Sequence, residues 1–172
     1  MTTNKPIMTA KLLPRKGYVE RVDENGNHYY KRIEVISGYI ARSIVLTNDQ
    51  DFSISNKIGS IRVTCVGGGG SKTLLGNGAS GTITQSILIP GQLPNKVRVI
   101  IGNPGIDGHA GEPTAFGTYI VANGGGAGDA GDNLGNSDGY VFDNKRFGFG
   151  ETGNQAACKG VCIIEYNEPI YE

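Results

Sequence analysis

A chain of 172 residues and 18.1 kDa has room for one domain and a modest appendage. Its 16 Lys+Arg balance 16 Asp+Glu, so no long-range field gathers nucleic acid or an anionic membrane, and partners are expected to be held by shape and local hydrogen bonds. The outlier is glycine, with 28 residues where average usage of roughly 7% predicts about a dozen.

Met1 to Pro14 is polar and punctuated by proline, with no apolar core of signal-peptide length. No later stretch approaches the roughly 18 apolar residues of a membrane span. The expectation is a protein made in the cytoplasm, without membrane insertion, that reaches any surface by assembly or lysis. Only Gly17, Gly26 and Gly38 fall within residues 1–58, and every other glycine lies between Gly59 and Gly160. That shift divides the chain into an N-terminal segment, 1–58, and a glycine-rich β domain, 59–172.

In the first part, Gly17–Val22 and His28–Ile33 flank Asp23-Glu24-Asn25-Gly26-Asn27. Two β-prone runs around Asn-Gly predict a hairpin, because that dipeptide accepts the positive φ of a tight turn. A lone hairpin is marginal in water and needs a cover. Further short strands are expected over Tyr39–Leu46 and Phe52–Ser55. In the second part the β runs are Ile61–Val66, Thr82–Ile89, Val97–Ile101, Phe116–Val121 and Val161–Tyr166. Several alternate apolar and polar residues, and no window sustains a helical period. The predicted fold is all-β, a small sandwich or jelly-roll-like core preceded by a hairpin attachment segment.

Gly102, Gly105, Gly108 and Gly111 recur every third residue, as do Gly125, Gly128 and Gly131. Three residues is the turn of the polyproline II helix, and glycine along one edge of it lets a second backbone approach. Runs of about three triplets, with only Pro104 between them, are too short for collagen. A flexible linker fits poorly with Ile106, His109, Leu134 and Tyr140 in and around the runs. Two readings remain: extended segments packed side by side through backbone hydrogen bonds, or glycine-rich surface loops.

Cys65-Val66-Gly67-Gly68-Gly69-Gly70 after a strand, Gly111 to Tyr119 (GEPTAFGTY), Ala122 to Gly128 (ANGGGAG) and the closing Gly160 to Tyr166 (GVCIIEY) form an ordered set. It resembles the glycine-rich domain of phage tail fibres and tail-tip adhesins over roughly residues 59–167. The resemblance implies a component of a phage or tailocin tail, trimeric or mounted on a trimer, whose loops between glycine-rich segments touch the host surface. This chain departs from that pattern in having few unbroken glycine runs beyond Gly67–Gly70. Residues 1–58 resemble nothing recognised, and their expected role is docking onto other tail or baseplate proteins.

Chemical motifs are sparse. Gly67 to Thr73 (GGGGSKT) fails the phosphate-loop pattern, since Ser71 and Val66 stand where glycines are needed. Gly76 to Gly81 matches GxGxxG, but the β-branched run after it is no helix. His28 and His109 are the only histidines and lie far apart, so no zinc site is expected. Cys65, Cys158 and Cys162 read as thiols, with Cys65 and Cys162 on strands that could be neighbours. Asp129, Asp132, Asn133, Asn136 and Asp138 match no calcium loop and read as solvated turn residues.

The most suggestive stretch is Tyr140 to Phe149. Tyr140, Phe142, Asn144, Arg146, Phe147 and Phe149, with Asp107 and His109, are the candidate contact residues, because aromatics and arginine dominate binding hot spots. Core strands are the equal alternative for the aromatics. No triad or carboxylate pair is present, so no enzyme, cofactor or metal is expected. The expected function is host-surface binding to a glycan or protein, with a purely structural baseplate or tail-fibre connector as the rival.

Overall fold

The structure, a computed structural model, describes residues 18–32, 36–128 and 139–171. The N-terminal tail to Pro14, Gly17, Ile33, Gly131, Leu134 and the acidic cluster Asp129, Asp132, Asn133, Asn136 and Asp138 lie outside them. The described chain is strand and loop, apart from one 3-10 turn at Pro90–Gln92. It divides into two compact units, Met1–Tyr39 with Pro169–Glu172, and Ile40–Glu168. The glycine shift at 58/59 does not coincide with that division. Residues after 40 belong to the larger unit because Leu46, Phe52 and Ile58 are buried in its core.

In the first unit, strand β1 (Tyr18–Val22) pairs antiparallel with β2 (His28–Arg32), as the Asn-Gly signal predicts. The connection differs in detail from a two-residue turn. Asp23 N–H donates to the Asn27 carbonyl at 3.0 Å, leaving a three-residue loop in which Gly26 alone takes a positive φ of 80°. That is the next commonest hairpin geometry. The Asp23 carboxylate braces the loop by accepting from the Asn25 and Asn27 amides and the Asn27 side chain.

Two four-stranded sheets lie in the larger unit, apart from Ile36–Tyr39 and Pro169–Tyr171 at the ends of two strands of the first. One runs β3 (Ile36–Leu46), β12 (Val161–Tyr171), β5 (Ile61–Val66), β6 (Ile83–Leu88); the other runs β4 (Gln50–Phe52), β7 (Val97–Ile100), β8 (Thr114–Phe116), β9 (Ile120–Ala122). Alternation assigns the faces. Ile61, Val63 and Cys65 of β5, with Cys162 and Ile164 of β12, meet Phe52, Val97, Val99, Phe116, Ile120 and Ala122 of the second sheet in one core. Phe52 and Phe116 pack as a tilted pair at 5.9 Å, a geometry aromatic rings favour. Cys65 and Cys162 are directly opposed across β5 and β12 and are buried free thiols. The hydrogen bond between them and their burial hold the Cys162 thiol protonated.

The opposite face of β5 and β12 carries Val66, Val161 and Ile163. It is covered by a second hairpin, β10 (Tyr140–Phe142) and β11 (Lys145–Phe147), through Phe147 with Tyr140 and Phe142. Its turn residues Asp143 and Asn144 take φ of 49° and 59°, the left-handed values a two-residue hairpin turn demands. The expected strand Phe116–Val121 is instead the β8–β9 hairpin. Gly117, at φ 55°, reverses the chain, and β9 pairs back on β8 with Phe116 opposite Ile120.

Each glycine-rich segment adjoins a strand of this sandwich or of the β10–β11 hairpin. Residues 67–71 follow β5, 78–82 precede β6, 102–105 follow β7, 109–112 precede β8, 123–128 follow β9, 148–151 follow β11 and 158–160 precede β12. Segment 67–71 is fully buried at the centre of the other six. Its N–H groups go in turn to Thr82, Glu112, Cys158, Ala79 and His109. The neighbour therefore repeats every third residue, the period of an extended threefold helix. Its carbonyls accept from Gly125, Gly105, Glu151 and Gly128, again in threes and from the remaining segments. One central segment thus bonds to six neighbours, three by donation and three by acceptance.

Glycine makes this geometry possible. A Cβ on Gly69 would meet the Phe149 carbonyl, and one on Gly70 the Gly126 carbonyl, in each case inside the 3.0 Å limit of real contacts. Of the triplet glycines, Gly102, Gly105, Gly111, Gly125 and Gly128 are enclosed in this way. Gly108 is not. A Cβ there would meet only the Thr73 methyl, at an ordinary 3.7 Å, and its φ is 80°, so it serves the turn between two segments.

Candidate functional site

The bundle sends its connecting loops to the end away from the strands. Residues 72–77 join the central segment to 78–82, the turn at 106–108 joins 102–105 to 109–112, and 152–157 joins 148–151 to 158–160. These loops are tied to the bundle and to one another. Thr73 Oγ1 donates to the Gly128 carbonyl. Lys72 N–H donates to the Glu151 carboxylate at 3.1 Å, and Lys72 Nζ lies 3.6 Å from it. The Thr73 methyl lies against Gly108 of the neighbouring turn. Thr152 and Gln155 exchange backbone hydrogen bonds that close a tight turn.

On this fixed base stand apolar side chains with no cover. Leu74 is fully exposed, and Leu75 and Ile106 are 66% and 69% exposed. Beside Ile106, the His109 ring bonds through Nδ1 to the Ile106 and Asp107 carbonyls at 3.0 and 3.1 Å. Asp107 adopts a φ of 49°, a strained value for a non-glycine residue. Isolated exposed apolar residues are ordinary, but Leu74, Leu75 and Ile106 stand on hydrogen-bonded loops that approach each other at Thr73 and Gly108, an arrangement of the kind that marks a contact surface.

The candidate contact residues thus fall in two places. Asp107 and His109 sit on the loop end, next to Leu74, Leu75 and Ile106, which sequence reasoning did not nominate as contacts. The rest sit on the β10–β11 hairpin and the segment after it. Phe147 is buried at 7% exposure and packs on Val66, Val161 and Ile163. It anchors the hairpin and presents nothing to a partner. Tyr140 and Phe142 stack with centroids 6.5 Å apart and are half-buried on the same cluster, so they too are chiefly packing residues. Asn144 and Arg146 are exposed, and the Arg146 guanidinium lies 3.8 Å over the Phe149 ring, a cation–π contact that fixes its direction.

Between Arg146, Phe149 and the loop end opens a cleft of about 120 Å³, lined by Asn77, Ser80, Thr152 and Gln155 and floored by Gly78 and Gly150. Asn77 belongs to the loop that carries Leu74 and Leu75, so hairpin and loop end form one surface. Among the described residues no group of three His, Cys, Asp or Glu side chains converges to hold a metal ion. No protein-family model matches the chain, and no curated protein is similar to it in sequence.

Proposed function

We propose that this protein is a tail component of a phage or phage-tail-like particle that binds the host cell surface through the loops of its glycine-rich β domain, with residues 1–58 docking it onto other tail proteins. The observation that carries the reading is the division of labour in the larger unit. A hydrogen-bonded bundle spends an unusual share of its residues on glycine, the residue that loses most entropy on ordering. The product of that investment is a set of short loops held in place with Leu74, Leu75, Ile106 and His109 outward. Rigid presentation of apolar and polar side chains on loops is how recognition surfaces limit the ordering cost of binding. The resemblance of residues 59–167 to tail-tip adhesin domains supports the same assignment.

The rival, a structural connector, draws on a different feature. Edge strand β6 exposes Ile83 and Ile87 on one face, and Ile89 follows it, an arrangement that invites a neighbouring subunit. Particle adsorption separates the two readings. Leu74→Ser with Ile106→Ser abolishes adsorption while particles still assemble if the loops recognise the host. Unchanged adsorption, together with assembly failure for Ile87→Lys, identifies a connector.

A further inference from the structure

The cleft beside the hairpin has its own chemistry, distinct from the apolar loop end. Arg146 is an exposed cation whose single described contact is the Phe149 ring at 3.8 Å. Among the described residues no carboxylate lies within ion-pair distance of it. Glu151, the next acid along the chain after it, is engaged by the Lys72 backbone and ammonium instead. Stacking on Phe149 orients the guanidinium while leaving its in-plane N–H donors unused.

Around it stand groups that suit a polyol. Ser80 Oγ accepts from Gly150 N–H at 3.3 Å, which leaves its own proton to donate outward. Asn77, Thr152 and Gln155 bring two amides and a hydroxyl to the same rim. The floor is bare backbone. Gly78 N–H is bonded to the Glu151 carbonyl, and a Cβ on Gly150 would strike the Gly78 carbonyl, so the floor is held by backbone contacts. Its volume of about 120 Å³ is well below the ~300 Å³ at which sites begin to engulf drug-sized ligands. It holds one charged group and its adjacent hydroxyls, with the remainder of the ligand outside.

From this geometry we infer that the Arg146 cleft is a subsite for a carboxylate-bearing sugar residue of a surface polysaccharide. The guanidinium fork matches a carboxylate with two parallel hydrogen bonds. The amides and hydroxyls of Asn77, Ser80, Thr152 and Gln155 match the ring hydroxyls beside it. With Lys+Arg and Asp+Glu in balance, nothing draws an acidic polymer from afar, so selectivity rests on this local fork. The inference builds on the host-binding reading and names a ligand class for it.

The test is an NMR titration of the intact protein with an oligogalacturonate, the neutral galactose oligomer and a sugar phosphate, following the Asn77 and Gln155 side-chain amides. The inference expects shifts with the oligogalacturonate alone. Arg146→Gln should weaken its binding by on the order of tenfold or more, as loss of hydrogen bonds to a charged group implies. Arg146→Lys should rescue only in part, because an ammonium lacks the fork. Equal binding of the neutral oligomer, equal binding of the sugar phosphate, or no shift with any probe each overturns it. Gln155→Leu, a change on an exposed turn, should weaken the oligogalacturonate too, and full binding by that variant counts against the cleft. Failure here is separable from failure of the host-binding reading, which stands or falls on adsorption by the Leu74→Ser, Ile106→Ser particle.

Discussion

At the level of single residues, the account predicts sharply unequal costs for the same substitution. Gly69→Ala places a methyl group where the Phe149 carbonyl already is, and Gly70→Ala does so at Gly126. Backbone cannot step aside as a flexible side chain would, so each change should cost at least about 3 kcal/mol. Gly59 and Gly153 have open space at the Cβ position and no positive φ. Alanine there should be neutral, or stabilising by up to about 1 kcal/mol through the unfolded chain. Urea melts of the four variants check the contrast. Asp23 gives a pH prediction. Its bonds from the Asn27 side chain and backbone hold its carboxyl below the ordinary value. A group with a lowered native pKa contributes stability that is complete above its unfolded pKa and vanishes as pH falls through the native one. The β1–β2 hairpin should therefore loosen only below the usual carboxylate range, and Asp23→Asn should remove that acid transition. Chemical shifts of Asn25 and Asn27 amides against pH report it.

Among the elements, the β10–β11 hairpin decides whether its aromatics pack or touch a partner. Phe147→Ala should cost about 3–5 kcal/mol, as for other buried phenylalanines. Tyr140→Ala should cost less, since Tyr140 is half-buried and shares its place with Phe142. Asn144→Gly, which relieves a positive φ of 59°, should stabilise or leave the fold unchanged. Thermal melts measure all three. Sequence reasoning left the packed and exposed readings of this stretch equal for a physical reason. Asp143-Asn144 is a turn signal, but the periodicity of three-residue strands is too short to show which face meets the core. The Phe116–Val121 error has a similar origin. A β-prone run conceals a reversal when the turn needs only one glycine, and Gly117 supplied it. By contrast, Ile61–Val66 and Val161–Tyr166 were plain, because six residues of alternation give a face unambiguously.

For the molecule as a whole, the spacing of glycines was the informative signal, and it was read partly in the right place. The triplets from Gly102 and Gly125 were visible as possible packing edges because three residues is the period of the extended helix. The centre of the bundle, Gly67–Ser71, was less so, since an unbroken run has no period to read and its six neighbours come from all over the chain. The same non-locality hid the candidate site. Leu74, Leu75 and Ile106 come near one another only after the loops at 72–77 and 106–108 are brought together, and the cleft needs Asn77 to meet Arg146 and Gln155 from a distant part of the chain. The boundary at 58/59 followed composition, whereas the core followed apolar side chains at Leu46, Phe52 and Ile58. At this scale the loops should be separable from the fold. The Leu74→Ser, Ile106→Ser variant should melt within about 0.5 kcal/mol of the parent, the usual range for surface changes, while losing adsorption.

Presentation of the loops depends on the extended segments being bonded to one another as an ordered bundle. Backbone amide exchange tests this directly, because Gly68, Gly69, Gly70 and Gly125 have no side chain through which order could be inferred. Their N–H groups, bonded at 2.8–2.9 Å to carbonyls of other segments, should exchange as slowly as those of Val63 and Cys65 in β5, through global unfolding alone. Exchange of these glycine amides at the rate of open chain, while β5 remains protected, would contradict the account.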